Sequence, residues 1–168
     1  MSVVTQETMQ LVLPENTAGA RLILEAPEAM SDDAYAWAKR DARGKAFGSS
    51  VEFLLPNGAA LSPDAAWVAN EKLLRLTKDQ RRKFLRLTPD FVAEIMSPSG
   101  RLPAAQEKML EWLENGVCLG WLIDGDARVV YIYRPKQPVE TCRGVVTLAA
   151  AGPLEGSTID LADLWAGL

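Results

Sequence analysis

Short apolar runs broken by turn residues make up most of the chain, and one later stretch carries a clear helical period. Arg21 to Ala26 (RLILEA) predicts a strand that Pro27 ends. Ser31-Asp32-Asp33 offers N-cap chemistry for a helix through Tyr35, Trp37 and Ala38 that runs out near Gly44. Val51 to Leu55 (VEFLL) predicts a strand, and Pro56-Asn57-Gly58 a turn. Ser62 to Val68 predicts the strand that pairs back on it as a β-hairpin with a longer loop. Pro63 falls at its start, where a missing N–H costs little.

Thr77-Lys78-Asp79 can cap a helix ending near Leu87. Phe91 to Met96 (FVAEIM) is an almost unbroken apolar run, the pattern of a strand covered on both faces at a sheet's centre. Pro103 to Asn115 is the clearest helix. Pro103 suits its first turn, Gly116 its end, and Ala105, Met109, Trp112 and Leu113 form its apolar stripe. Val117 to Ile123 and Arg128 to Tyr133 predict a second hairpin around Gly125-Asp126. Two short strand-like pieces follow Pro135, and Ile159 to Leu164 reads as a turn or short helix.

Helices interleaved with strands predict an α/β (mixed α+β) fold, with a mixed central sheet flanked by helices. Residues 1–20 read as a lead-in and 21–168 as one domain. A chain of 168 residues can bury a continuous core without disulfides or metals.

Composition narrows the chemistry. The chain has no histidine, which excludes serine–histidine and cysteine–histidine nucleophiles and imidazole-based zinc sites. Carboxylates, lysines, hydroxyls and a hard divalent cation remain. Cys118 and Cys142 show no motif spacing and give no sign of a secreted scaffold. The polar N-terminus has no signal core, and no stretch reaches the roughly 18 apolar residues of a membrane span, so a reduced, cytoplasmic setting is expected.

The formal net charge is −4, but it is unevenly distributed. Between Glu71 and Arg86 stand seven basic residues (Lys72, Arg75, Lys78, Arg81, Arg82, Lys83, Arg86) against Glu71 and Asp79, a local +5 that leaves −9 elsewhere. Such a patch can steer a polyanion, although charge runs are more often solvated helix faces.

Asp64 and Glu94 are single carboxylates near the ends of otherwise apolar strands. A lone buried charge is costly unless paired or bound to a cation. On neighbouring strands the two would suit Mg²⁺ or Mn²⁺, with a backbone carbonyl such as that of Ile95 as a further oxygen. At about 100° per residue Lys108 lies about 60° from Ala105 and about 40° from Trp112, so it sits at the stripe's edge and can reach the end of the Phe91 to Met96 strand. Taken singly, Asp64 also reads as an ordinary strand-start residue, and Lys108 as a side chain snorkelling to water.

These residues have a family resemblance. Ser62-Pro63-Asp64-Ala65-Ala66-Trp67-Val68, Pro89-Asp90-Phe91-Val92-Ala93-Glu94-Ile95-Met96-Ser97-Pro98-Ser99, Gln106-Glu107-Lys108-Met109 through Asn115-Gly116-Val117, and Gly120-Trp121-Leu122-Ile123-Asp124 resemble the Uma-two proteins. These are restriction-endonuclease-like members of the PD-(D/E)XK nuclease superfamily. The resemblance runs over roughly residues 21 to 168. It implies an αβββαβ core and a Mg²⁺-type site, with the family's aspartate on Asp64 and its glutamate on Glu94. The lysine expected two residues later falls on Met96, and its role moves to Lys108, with Gln106 beside it. The stretch before Gly44 is shorter than in relatives, leaving Glu28, Asp32 and Asp33 as candidates for a further acid, and Gly100 stands where relatives carry aspartate.

The expected function is a Mg²⁺-dependent DNA endonuclease using Asp64, Glu94, Lys108 and Gln106. Lys72, Arg75, Lys78, Arg82 and Arg86 would contact phosphates, and homodimers would suit the cutting of two strands. One alternative is a catalytically degenerate relative acting as a DNA- or protein-binding module. Another is a structural homodimer built on the apolar hairpin Leu119 to Tyr133, without nucleic acid.

Overall fold

A computed structural model describes residues 8–12, 21–25, 43–77, 79–80, 84–155 and 158–167. The first strands are β1 (Thr8–Val12), β2 (Arg21–Glu25), β3 (Gly44–Gly48), β4 (Glu52–Leu54), β5 (Ala60–Leu61) and β6 (Ala65–Ala69). Helix α1 (Asn70–Leu74) precedes β7 (Phe84–Leu85) and β8 (Phe91–Ile95), and helix α2 (Leu102–Glu114) follows. The chain continues through β9 (Leu119–Asp124), β10 (Val129–Tyr133), β11 (Glu140–Arg143), β12 (Thr147–Ala149) and β13 (Thr158–Asp160) to helix α3 (Ala162–Gly167).

The most apolar run takes the position its pattern predicts. Six strands form a mixed sheet in the order β11-β10-β9-β8-β6-β3, with β8 inside it, antiparallel to β6 and parallel to β9. A parallel pair needs a crossover, and α2 provides it, lying against both strands. Strand periodicity then sorts the side chains. Phe91, Ala93, Trp121, Ile123, Val130 and Ile132 face one layer, completed by Leu148, Leu154, Leu161 and Trp165. Val92, Leu122 and Tyr133 face the other, with Met109 and Trp112 of α2 and with Phe53 and Leu85 of a small sheet ordered β5-β4-β7. Glu94 follows Val92 by two, so the same alternation directs its side chain to the α2 layer.

Helix α2 starts with Pro103 in its first turn and ends at the C-cap Asn115. Gly116 has φ 103°, a backbone that favours glycine at the residue after a helix. Asn115 is buried and joins three segments. Its Oδ1 accepts the Asn57 backbone N–H (3.1 Å), its Nδ2 donates to the Glu111 carbonyl (2.9 Å), and its own carbonyl accepts the Thr88 hydroxyl (2.8 Å). Asn115→Ala strips the first two bonds and leaves a backbone donor short of its acceptor. It is expected to cost about 1–2 kcal/mol in urea unfolding.

Several expectations change. The Val51 to Leu55 strand does not pair with Ser62 to Val68. β4 instead pairs with β5, and β6 pairs with β3 and β8 in the main sheet. Two-residue β5 is too short to leave a hydrophobic pattern. The helix expected to end near Leu87 is replaced at its end by β7, which runs parallel to β4, and α1 lies earlier. Gly44, expected at a helix end, opens β3; most of the helix expected from Ser31 lies outside the described residues. Thr8–Val12, within the stretch read as a lead-in, pairs as a strand with β2 and lies against β13 and α3.

The hairpin Leu119 to Tyr133, expected in one alternative to form an apolar dimer surface, lies inside the main sheet, with β8 on one side and β11 on the other. Most of its strand residues are buried within the chain's own core, including Trp121, Leu122, Ile123, Val130 and Ile132. The cysteines are free. No helix among the described residues is long and apolar enough to cross a membrane.

Candidate active site

The site forms where two antiparallel strands meet at one end. β6 begins just after Asp64, β8 ends at Ile95, and Ala65 stands opposite Ala93. The Asp64 carboxylate Oδ2 therefore reaches the Ile95 backbone N–H and accepts it at 2.7 Å. Glu94, one residue earlier in β8, points to the helix layer and is only 7% exposed. α2 carries both groups that meet it. Lys108 Nζ donates to Glu94 Oε2 (2.8 Å) and to the Ser62 carbonyl (3.1 Å), and Trp112 Nε1 donates to Glu94 Oε1 (2.9 Å). Residues four apart share a helix face, so one carboxylate is gripped from two successive turns.

Burial dominates the electrostatics. It raises the Glu94 pKa above the ordinary carboxylate value, against the charge and hydrogen bond of Lys108 and the bond from Trp112, and the nearby Asp64 charge adds to the rise. Burial likewise raises Asp64, opposed by the Ile95 N–H and by Lys108. Two desolvated acids thus share one ammonium that does not fully compensate them.

Of the residues expected here, the structure brings together Asp64, Glu94, Lys108 and the Ile95 backbone. Gln106 is not among them. At about 100° per residue it stands about 160° from Lys108 around α2. It lies beside the Tyr133 hydroxyl, where it opposes the rise in pKa that burial causes. Among the described residues that buried hydroxyl has no hydrogen-bond partner in good geometry. Met96, on the position of the usual lysine, packs at the edge of the α2 layer. Glu28, Asp32 and Asp33 lie outside the described residues.

Sequence reasoning missed Trp112 as a polar contributor because tryptophan scores as core. The available signal was its place four residues after Lys108 on the same edge. It also missed a matching arrangement at the other end of the strand pair. Asp90, just before β8, accepts the Ala69 N–H at the end of β6 (2.8 Å) and pairs with Lys72 (2.7 Å). An aspartate clasping the partner strand's terminal N–H is therefore a structural device at both ends. The presence of Glu94 distinguishes the Asp64 end.

The basic segment is partly turned inward. Lys72 also donates to the Thr88 carbonyl, and Arg75 pairs with Glu71 one helical turn away. Arg86 is exposed, and Lys78 and Arg82 lie outside the described residues, as do Arg81 and Lys83.

Comparisons with known proteins agree with this architecture. Residues 25–162 match the model of the Uma2 family, described as "Putative restriction endonuclease". No curated protein matches the chain. A crystal structure described as "a putative nuclease belonging to DUF820", from Anabaena variabilis, superposes with a TM-score of 0.65 at 20% sequence identity, covering 86% of each chain. At that identity the likeness establishes a shared fold.

Proposed function

Since the chain belongs to the Uma2 family of restriction-endonuclease-like proteins, we propose that it hydrolyses DNA phosphodiester bonds at the Asp64–Glu94–Lys108 cluster with a divalent cation. The supporting observation is that two neighbouring acids are both raised in pKa by burial while sharing one lysine. Such a pair is incompletely neutralised, and a hard cation with oxygen ligands meets that need. Among the described residues no group of three or more His, Cys, Asp or Glu side chains gathers for a metal. This donor set fits Mg²⁺ or Mn²⁺, since Mg²⁺ binds through one or two carboxylates and keeps several waters. Asp64, Glu94 and the Ile95 carbonyl would hold it.

When bound, such a cation supplies a water of lowered pKa and offsets charge on the phosphate. The chain's own groups do the rest. Asp64 and Glu94 act in their ionised forms. Asp64 is oriented by the Ile95 N–H, and Glu94 by the two α2 donors. Lys108, 35% exposed along its side chain, can turn its ammonium from Glu94 toward developing phosphate charge. Lys72, Arg75, Lys78, Arg82 and Arg86 are the basic candidates to contact phosphates, Arg75 being exposed and Lys72 being the one held by Asp90. A homodimer would supply the two centres that cutting both strands requires.

The test is cleavage of supercoiled and linear DNA with Mg²⁺ or Mn²⁺, beside EDTA. Metal-dependent nicking that weakens as salt rises is expected, because phosphate contacts release counterions. Salt-sensitive DNA binding without cleavage, by folded protein in both metals, would favour the degenerate binding module.

A further inference from the structure

The two oxygens of Glu94 are held in different ways. Oε2 meets the Lys108 ammonium, which is partly open to solvent and bonded also to the Ser62 carbonyl. Oε1 meets the Trp112 indole N–H inside the core. Trp112 is 0% exposed and packs edge-on against Phe53, with ring centroids 6.2 Å apart. An ammonium on a flexible stem can leave when a competing cation arrives. A packed indole cannot, and indole nitrogen donates but never accepts.

We propose that Trp112 is a positioning residue of this centre, fixing the Glu94 carboxylate through Oε1 so that Oε2 is presented to a divalent cation when Lys108 withdraws. The inference rests on the proposed metal site and adds a group that acts through Glu94. Partners that orient a metal-binding side chain commonly change metal affinity 10- to 100-fold when removed.

The decisive comparison is Mn²⁺ affinity, measured by electron paramagnetic resonance without DNA, for wild type, Trp112→Phe and Trp121→Phe. Trp121 is the matched control, since it is 1% exposed and packs edge-on against Phe91 in the opposite layer. Both substitutions remove similar core volume, but only Trp112→Phe removes a donor to Glu94. Trp112→Phe should weaken Mn²⁺ binding about tenfold or more, with Trp121→Phe within about twofold of wild type. Equal weakening by both would reduce Trp112 to packing and overturn the inference, as would wild-type affinity in Trp112→Phe. If wild type itself binds no Mn²⁺, the metal-site reading fails and this inference fails with it.

A second measurement does not need Trp112→Phe to fold. In a ¹⁵N-indole spectrum of wild type, one tryptophan N–H should be protected from exchange, move on addition of Mg²⁺ and move again in Glu94→Gln. If no indole signal responds to both changes, the Trp112–Glu94 link is excluded.

Discussion

Glu94→Gln is expected to lower DNA cleavage by about 100- to 1000-fold while leaving the protein folded. Glutamine has nearly the shape of glutamate, and its carbonyl oxygen can still accept the Trp112 N–H seen at 2.9 Å. The position of Oε2, which now accepts from Lys108, is taken by an amide NH2, so the charge and the acceptor offered to Lys108 are lost together. Asp64→Asn should behave alike, because the asparagine carbonyl still accepts the Ile95 N–H. Lys108→Met keeps the aliphatic stem and removes the ammonium, with a loss of the same order. Asp90→Asn is the internal control. It alters the matching clasp at the other end of the strands and should leave cleavage near wild type. Wild-type cleavage by Glu94→Gln would remove the cluster from the chemistry.

The acid substitutions carry a second signature that is independent of DNA. A carboxyl whose folded pKa lies above its unfolded value is stabilised by folding in its protonated form. Its contribution is complete below the ordinary carboxylate range and is lost as pH rises through the raised folded value. Asp64 and Glu94 are both of this kind. Metal-free wild type should therefore lose stability from these groups as pH climbs out of the acid range. Asp64→Asn and Glu94→Gln should each flatten that part of a pH–stability profile recorded in EDTA. Profiles parallel to wild type would mean that burial does not shift these acids.

Parts of this arrangement were legible in the chain. Glu94 stood out because a carboxylate in an apolar run must find a partner, and Lys108 because helical geometry put it at the stripe's edge. The central strand and α2 were equally plain, since both are long enough for periodicity to register. The misses at β3, β5 and β7 share one cause. β5 and β7 have two residues each, and β3 reads GKAFG, so none leaves a pattern that local preference can detect. They exist because tertiary pairing holds them: β7 beside β4, and β3 along β6. Hydropathy also classes tryptophan by its rings, which hid the indole N–H that Glu94 uses.

The strand missed at Gly44 carries the second large prediction. Gly44→Ala should destabilise the protein by about 2–3 kcal/mol, lowering Tm by roughly 5–10 °C for a domain of this size. The cause is space. A Cβ at Gly44 would sit 2.3 Å from Cζ2 of Trp67 and 2.5 Å from the backbone carbonyl oxygen of Val68. Trp67 is 5% exposed within the core, and the carbonyl belongs to β6, which pairs with β3 from Gly44–Ala69 to Gly48–Ala65. Neither can retreat without shifting β6 near Ala69, the end that Asp90 clasps. Gly120→Ala makes the contrast. Its Cβ would meet the Met109 Cε at 2.5 Å, but that methyl ends a flexible side chain that can swing away, so a loss below about 1 kcal/mol is expected. Calorimetry on the two variants separates the explanations. Similar small losses would mean that Trp67 and the Ala69 end of β6 yield easily.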